Sequence, residues 1–204
     1  MQRKMSLAVC LLLSVVSVMI VGCAGGNTAV TRMDSDTDKD LSGRWNDGDS
    51  RRVSEEIITD ALSRPWIEKY EKAGKTPTVK VGRIVNKSHE HINVETFTKD
   101  IEKALLNSGK VEFIATNSEV GQLRDEMDSQ ETNASATTRS DRGEEQGADL
   151  MLVGSINTIE DREGKRSVMF YQINMELIEL ESTKKVFIGD KKIKKYIEKA
   201  SAKF

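Results

Sequence analysis

The feature that most constrains the fold of this 204-residue chain is an alternation of side chains between Ser167 and Leu180. Every second residue there is apolar, in the order Met169, Tyr171, Ile173, Met175 and Leu177. A period of two places these side chains on one face of a β-strand, which we predict to be the core face. Strand patterns also occupy Asp149–Glu160 and Lys184–Ile193, with a short turn on each side of the central strand. Three successive strands joined by short turns predict an antiparallel meander at the C-terminal end.

The preceding residues alternate between helical and extended patterns. Predicted helices cover Arg51–Ser63 with Asp49 or Ser50 as N-cap, Pro65–Ala73, Val94–Asn107, and a segment from a cap at Asn117 or Ser118 through Met127. Predicted strands cover Thr78–Val85 and Val111–Ala115, and predicted polar loops cover Asn86–Asn93 and Ser129–Ser140. We therefore expect an α+β (mixed α/β) fold. It would have a single sheet of about five strands, helices mainly on one face, and the C-terminal antiparallel meander.

The N-terminal segment has the parts of a secretory signal peptide. Two basic residues, Arg3 and Lys4, precede an uncharged, mostly apolar run from Met5 to Val21. The sequence Ile20-Val21-Gly22-Cys23 resembles a bacterial lipobox. This resemblance implies cleavage before Cys23, a thioether bond from its sulfur to diacylglycerol, and acylation of the new amino group. We predict residues 1–22 to be a lipoprotein signal peptide.

The alternative for this segment is a single membrane-spanning anchor. Its apolar run of 17 residues is at the short edge of what crosses a bilayer, and no basic stop-transfer cluster follows it. Two or three acyl chains on Cys23 would anchor the chain stably, which a single chain does not. The residue after Cys23 is Ala24. In enteric-type lipoproteins an aspartate at this position retains the protein in the inner membrane, so the resemblance implies the outer membrane, with the chain facing the periplasm.

Composition excludes several function classes. Without residues 1–22 the chain has 29 basic and 33 acidic residues, a formal charge of −4, which argues against a general nucleic-acid binder. The second cysteine, Cys10, lies in the predicted signal peptide. The mature domain would therefore contain no disulfide and no cysteine-ligated metal.

Residues 23–40 are predicted to be the lipidated cysteine and a flexible tether, because they contain few apolar side chains. Asp34, Asp36, Asp38 and Asp40 alternate with other residues as in a calcium loop. However, Lys39 occupies the glycine position of such a loop, and Trp45 occupies the position of its closing glutamate. A solvated linker is therefore favoured over a calcium site.

Candidate catalytic residues are scarce. His89 and His91 are spaced to share a metal if they lie on a strand, but the predicted loop around them and the lack of a recognisable third ligand favour surface histidines. The sequence contains no nucleophile elbow, no phosphate-binding loop and no dinucleotide-binding glycine motif. We therefore expect a protein that is not an enzyme and carries no cofactor.

A lysine-rich segment ends the chain. Eight lysines lie between Lys184 and Phe204, against Asp190 and Glu198. Four of them lie on or just after the last predicted strand, namely Lys191, Lys192, Lys194 and Lys195. Lysines on an edge strand prevent edge-to-edge aggregation, and this explanation is favoured. The alternative is an electrostatic surface for an acidic partner or for anionic lipid headgroups.

Three stretches carry a family resemblance. They are Leu41–Asp47 (LSGRWND), the strand–helix segment through Asn107–Val111 (NSGKV), and Gly147–Ile156 (GADLMLVGSI). Together with the lipobox they resemble the LpoB family, the outer-membrane lipoprotein activators of penicillin-binding proteins. The third stretch is also similar to the TolB N-terminal domain and to the curli secretion lipoprotein CsgG. The fold shared by these domains is a sheet flanked by helices.

The LpoB resemblance implies activation without catalysis, through binding to a bifunctional penicillin-binding protein that synthesises peptidoglycan. It identifies no partner-contact residue by motif. The CsgG resemblance leaves a structural or secretion-linked lipoprotein as the alternative. The predicted tether Ala24–Asp40 spans at most about 60 Å when fully extended, whereas enteric LpoB has a long, proline-rich tether. We expect a globular domain over residues 41–195 and a basic tail over residues 196–204.

Overall fold

The computed structural model describes residues 29–35, 37, 39–135, 137–138 and 146–199. The chain divides into two compact units, residues 1–35 and 36–204. In the first unit the described residues 29–35 form no helix or strand. The predicted signal peptide, Cys23, and two of the four alternating aspartates, Asp36 and Asp38, lie outside the described residues. No helix in the described part of the chain combines the length and the apolar composition needed to cross a membrane.

The second unit is an α+β fold with a single five-stranded mixed sheet, as predicted. Its described helices are α1 (Asp47–Leu62), α2 (Trp66–Lys72), α3 (Val94–Asn107) and α4 (Asn117–Asn133). Its strands are β1 (Thr78–Lys87), β2 (Glu112–Phe113), β3 (Leu150–Glu163), β4 (Arg166–Glu179) and β5 (Lys185–Glu198). The strand order is β2-β1-β3-β4-β5. Strand β1 is parallel to β2 and β3, whereas β3, β4 and β5 form the predicted antiparallel meander.

The core lies between one face of the sheet and helices α1 and α3. The predicted inward set of β4 is buried from Met169 to Leu177, which confirms the alternation read from the sequence. Facing it, the buried apolar side chains of the two helices are Val53, Ile57, Ile58, Ala61, Leu62, Phe97, Ile101 and Leu105. Gly154 of β3 allows this packing, because a Cβ there would lie 2.2 Å from Sδ of the fully buried Met175.

The ends of several elements differ from prediction because polar residues continue them. Helix α1 starts at Asp47, since Asn46 and Asp49 form a capping box, so the predicted caps at Asp49 and Ser50 were wrong. Helix α4 is capped by Thr116 rather than by Asn117 or Ser118. It ends at Asn133 rather than Met127, so the predicted loop from Ser129 was wrong over its first residues. Strand β5 runs to Glu198 instead of Ile193, because its last residues pair with the start of β4.

Asp149 joins the start of β3 to the start of β1. Its carboxylate accepts hydrogen bonds from the backbone N–H of Thr78 at 2.9 Å and from the Thr78 hydroxyl at 2.8 Å. Lys75 Nζ lies 2.6 Å from the same carboxylate. Burial alone would raise the pKa of Asp149, but the hydrogen bonds from Lys75 and Thr78 prevail and lower it below its usual value. The aspartate of the Gly147–Ile156 stretch therefore fixes the parallel pairing of two central strands.

A strap, residues 40–46, connects the start of the domain to its core. Gly43 adopts a φ of 71° and lies so close to Ile197 of β5 that a Cβ would meet that side chain. Trp45 packs against Phe97 and Tyr171, with ring centroids 5.9 and 5.6 Å away. This packing explains the Leu41–Asp47 stretch, whose glycine, tryptophan and asparagine each have a distinct structural role.

Glu90 ties the strap to the loop after β1 and to β4. Its Oε2 accepts hydrogen bonds from the Trp45 backbone N–H at 3.1 Å and from the Tyr171 hydroxyl at 2.9 Å. Burial raises the pKa of Tyr171, and its hydrogen bond to Glu90 raises it further. Three segments distant in sequence therefore meet at one carboxylate.

Replacing Asp149 with asparagine removes the negative charge of the carboxylate that accepts hydrogen bonds from Thr78 and Lys75. We expect Asp149→Asn to lower the free energy of unfolding at pH 7 by about 1–3 kcal/mol. The pKa of Asp149 is lower in the folded protein than in the unfolded protein, where it is about 3.9. The stability that its carboxylate contributes is therefore fully present above about pH 3.9 and is lost as the pH falls below that value. Urea unfolding at pH 7 and pH 3 checks this, with Asp47→Asn, at the exposed first residue of α1, as control. An equal difference between Asp149→Asn and the unsubstituted protein at both pH values would contradict this role.

Replacing Trp45 with alanine removes the aromatic contact between the strap and the core. We expect Trp45→Ala to cost about 3 kcal/mol of stability, because it leaves a cavity against Phe97 and Tyr171. Leu41→Ala in the same strap is the control, because Leu41 is 85% exposed and its loss should change stability by less than about 0.5 kcal/mol. Chemical denaturation measures both variants, and a loss below about 1 kcal/mol for Trp45→Ala would show that the strap is not part of the core.

Candidate partner-binding face

The four predicted lysines of β5 divide between the two faces of the sheet. Side chains alternate along a strand, so Lys191 and Lys195 lie on the face covered by helices, and Lys192 and Lys194 lie on the other. Lys191 forms an ion pair with Glu56 of α1. The four lysines are therefore close in sequence but do not form one cluster. They form two pairs on opposite faces of the sheet, with different surroundings.

Lys195 is part of the packing between the strap, α1 and β5. Its ammonium group lies 2.5 Å from the Asp49 carboxylate and 2.8 Å from the Asp40 carboxylate, and it donates a hydrogen bond of 3.1 Å to the carbonyl of Arg44. The side chain is only 10% exposed, and that of Asp49 only 5%. Burial alone would lower the pKa of Lys195, but its hydrogen bonds to the two aspartates raise it above the usual value. Lys195 is therefore a fixed cation of the fold.

Lys192 and Lys194 face outwards. Lys192 lies 2.9 Å from Asp190 on the same strand, and both side chains are well exposed. Lys194 is exposed and has no ionic or hydrogen-bonding partner among the described residues. Of the four lysines, this one carries an uncompensated positive charge on the surface.

Apolar side chains lie next to Lys194 on the same face. Phe170 of β4 lies directly opposite Lys194, and Ile159 of β3 lies opposite Phe170. One row further on, Val168 lies opposite Tyr196. Side chains of adjacent strands that share a row are about 5 Å apart, so these residues form one continuous surface. We name Ile159, Val168, Phe170, Lys192, Lys194 and Tyr196 the open-face patch.

The open-face patch is accessible in the described structure. Ile159 is 66% exposed and Tyr196 is 61% exposed, and the helices that pack on the sheet, α1 and α3, lie on its other face. An aromatic and aliphatic centre with lysines at its rim has the composition of a protein-binding surface. The sequence signal that could have revealed it is the presence of Val168 and Phe170 on the outward side of the best-defined strand.

The two histidines have different surroundings. His89 Nδ1 lies 3.2 Å from the Thr158 hydroxyl oxygen, whereas His91 is exposed. Between them, Glu90 points its carboxylate inwards to Trp45 and Tyr171. In the described part of the chain no three His, Cys, Asp or Glu side chains are grouped to bind a metal ion. Of the four alternating aspartates, Asp40 pairs with Lys195.

A cleft of about 350 Å³ lies between α1 and α3, on the side of the molecule away from the open-face patch. Ile58 and Leu62 form its apolar part, and Glu55, Asp100 and Lys103 place both signs of charge around it. No histidine or cysteine lines the cleft. Its lining residues therefore include no serine–histidine or cysteine–histidine pair.

Solved structures similar to this chain include the LpoB C-terminal domains of Salmonella enterica (13% identity, TM-score 0.43) and Escherichia coli (14% identity, TM-score 0.42). Each alignment covers 71% of this chain and 98% of the solved domain. Lipoprotein GNA1162 from Neisseria meningitidis aligns at 11% identity and a TM-score of 0.39, over 62% of this chain and 88% of that one. A search of curated protein sequences finds no significant match.

The family assignment rests on a direct match to a family model. Residues 49–193, more than half of the 204 residues, match the family described as peptidoglycan-synthase activator LpoB. The matched range starts in α1 and ends in β5, so it contains the whole sheet except the last residues of that strand. The chain belongs to the LpoB family of peptidoglycan-synthase activators.

Proposed function

We propose that this protein is an outer-membrane lipoprotein that binds a bifunctional penicillin-binding protein and activates its peptidoglycan synthesis. The observation that carries the proposal is the match of residues 49–193 to a family of activators. The lipobox-like sequence ending at Cys23 supports lipid attachment, and Ala24 after it supports the outer membrane. The domain acts in this proposal by binding and performs no catalysis.

Activation by binding requires a difference in affinity. A ligand shifts a conformational equilibrium only by the ratio of its affinities for the two states, so the domain must bind the active synthase more tightly than the inactive one. A tenfold preference corresponds to about 1.4 kcal/mol, which a single well-packed aromatic contact supplies.

The open-face patch is the surface we assign to this contact. Phe170 and Tyr196 provide aromatic anchors, a residue class enriched among the side chains that dominate binding energies. Lys194 and Lys192 would attract acidic groups and raise the association rate at low salt. The patch lies within β3–β5, so a rigid meander holds the binding side chains in place before the partner arrives.

Changes in the patch should weaken binding to the synthase without unfolding the domain. We expect Tyr196→Ala and Lys194→Glu each to lower the affinity for detergent-solubilised synthase at least tenfold, because one removes an aromatic anchor and the other reverses a rim charge. Surface plasmon resonance measures the affinity, and the polymerisation rate of lipid-linked glycan precursor measures activation.

The matched control for this experiment is Lys110→Glu. Lys110 is exposed in the loop between α3 and β2, towards the opposite edge of the sheet. Lys110→Glu makes the same charge reversal as Lys194→Glu, but at a position away from the patch. It should therefore leave the affinity for the synthase and its activation unchanged. If both patch variants bound and activated like the unsubstituted protein, the patch would not be the synthase contact.

The lipid anchor is tested by labelling cells with an alkyne analogue of palmitate. We expect the unsubstituted protein and Cys10→Ala to incorporate the label, because Cys10 lies within the predicted signal peptide and is removed with it. Cys23→Ala should incorporate none. Labelled Cys23→Ala protein would contradict the assignment of Cys23.

A further inference from the structure

Strand β5 presents an unpaired edge. It is the terminal strand of the sheet and runs for 14 residues, all of them paired with β4 except Val186. None of the other described strands pairs with its second edge. In an antiparallel pair alternate residues direct their backbone N–H and C=O groups away from the partner strand. Strand β5 therefore offers a long row of hydrogen-bonding groups on the outer side.

A groove runs along the end of this edge. The strap forms one wall through Asp40–Arg44, and Lys194–Lys199 of the β5 end forms the other. The groove has a volume of about 1010 Å³ and is open to solvent. Leu41, at its rim, is 85% exposed. The β5 wall is extended as far as Glu198, whereas the strap wall bends over residues 41–44.

The two sides of β5 differ in charge along this edge. On the helix-covered side Lys191 and Lys195 pair with carboxylates of α1, and Ile193 and Ile197 are half-buried. On the open-face side Lys194 is unpartnered among the described residues, and Lys192 has only Asp190. A strand added here would place every second side chain beside the isoleucines and the others beside these lysines.

We propose that an extended segment with alternating apolar and acidic side chains binds to β5 as a sixth strand of the sheet. Backbone hydrogen bonds to the free edge would supply affinity, and the lysines of the open-face side would select carboxylates at every second position. The inference rests on the proposed function in one respect, that the segment belongs to the synthase.

Charge favours such a partner over a second copy of this chain. Of the five lysines of β5, Lys185, Lys191, Lys192 and Lys195 have partner carboxylates and only Lys194 has none among the described residues. The two carboxylates of β5, Asp190 and Glu198, are themselves paired, so a second β5 strand would bring no free carboxylate to Lys194. An acidic segment would neutralise Lys194. The predicted tether also favours a segment that extends from the partner, because 17 residues span at most about 60 Å.

The test uses the full-length lipidated chain in detergent micelles and a fluorescent ten-residue peptide of alternating valine and glutamate. Two further peptides carry N-methyl groups, one on the valine amides and one on the glutamate amides. Only one of these two sets of amides would face β5, so one methylated peptide should bind like the parent and the other should lose at least tenfold in affinity. Attraction by charge alone would affect the two methylated peptides equally.

Substitutions locate the site on the protein. We expect the double variant Lys192→Glu/Lys194→Glu to lower peptide affinity at least tenfold, and Lys110→Glu to leave it unchanged, with circular dichroism confirming that all fold alike. Hydrogen exchange should show that peptide binding protects amides of β5. Equal binding of the two methylated peptides, no binding of the parent peptide, or a β5-paired dimer in sedimentation that the peptide does not dissociate would each overturn the proposal.

The outcomes separate this inference from the proposed function. If the synthase binds and is activated while the peptide does not bind to β5, strand addition is wrong and the activator proposal stands. If the peptide adds to β5 while no synthase binds, the edge is a docking site for another partner and the activator proposal is wrong.

Discussion

The rest of the structure depends on the ion cluster that Lys195 forms with Asp49 and Asp40, because this cluster holds β5, α1 and the strap together. It joins the last strand to the first helix and to the strap that precedes this helix, across sequence separations of 146 and 155 residues. Removing one partner from such a buried cluster leaves an uncompensated charge, which is strongly destabilising. The cluster therefore fixes both the position of β5 at the edge of the sheet and the route by which the chain enters the domain.

This arrangement gives β5 two different sides. Its inward lysines are neutralised by α1 and cannot contribute to recognition, whereas its outward lysines surround an apolar patch. Of the four predicted lysines, only Lys192 and Lys194 are therefore placed to form the predicted electrostatic surface, which stays a prediction, as does edge protection. A binding surface on a strand so fixed loses little conformational entropy when a partner arrives.

The meander could be predicted from the sequence because its apolar residues recur with a period of two, as from Met169 to Leu177. The ends of β5 and α4 could not, because polar residues continue these elements through strand pairing and capping rather than through apolar periodicity. The separation of Lys191 and Lys195 from Lys192 and Lys194 follows from strand alternation. Their partners Glu56 and Asp49 are more than 130 residues away in sequence, and no local pattern indicates them.

The candidate surface was partly visible in the sequence. Lys192 and Lys194 were among the predicted partner-binding residues, but Ile159 and Tyr196 were not, because an exposed apolar residue becomes informative only beside its neighbours on adjacent strands. The strap lies in a stretch that resembles the family. Its structural role follows from the packing of Trp45 against Phe97 and Tyr171, which the sequence alone does not indicate.

The central claim is that the open face of the meander contacts a peptidoglycan synthase. Photo-crosslinking in living cells tests it most directly, with a benzophenone amino acid at Tyr196 and, as control, at Leu106. These positions are similarly exposed, at 61% and 59%, but lie on the open face and on the helix layer, respectively. The account predicts an adduct containing a penicillin-binding protein from position 196 and none from position 106. Adducts from position 106 alone, or from neither position while the protein still activates the synthase, would contradict it.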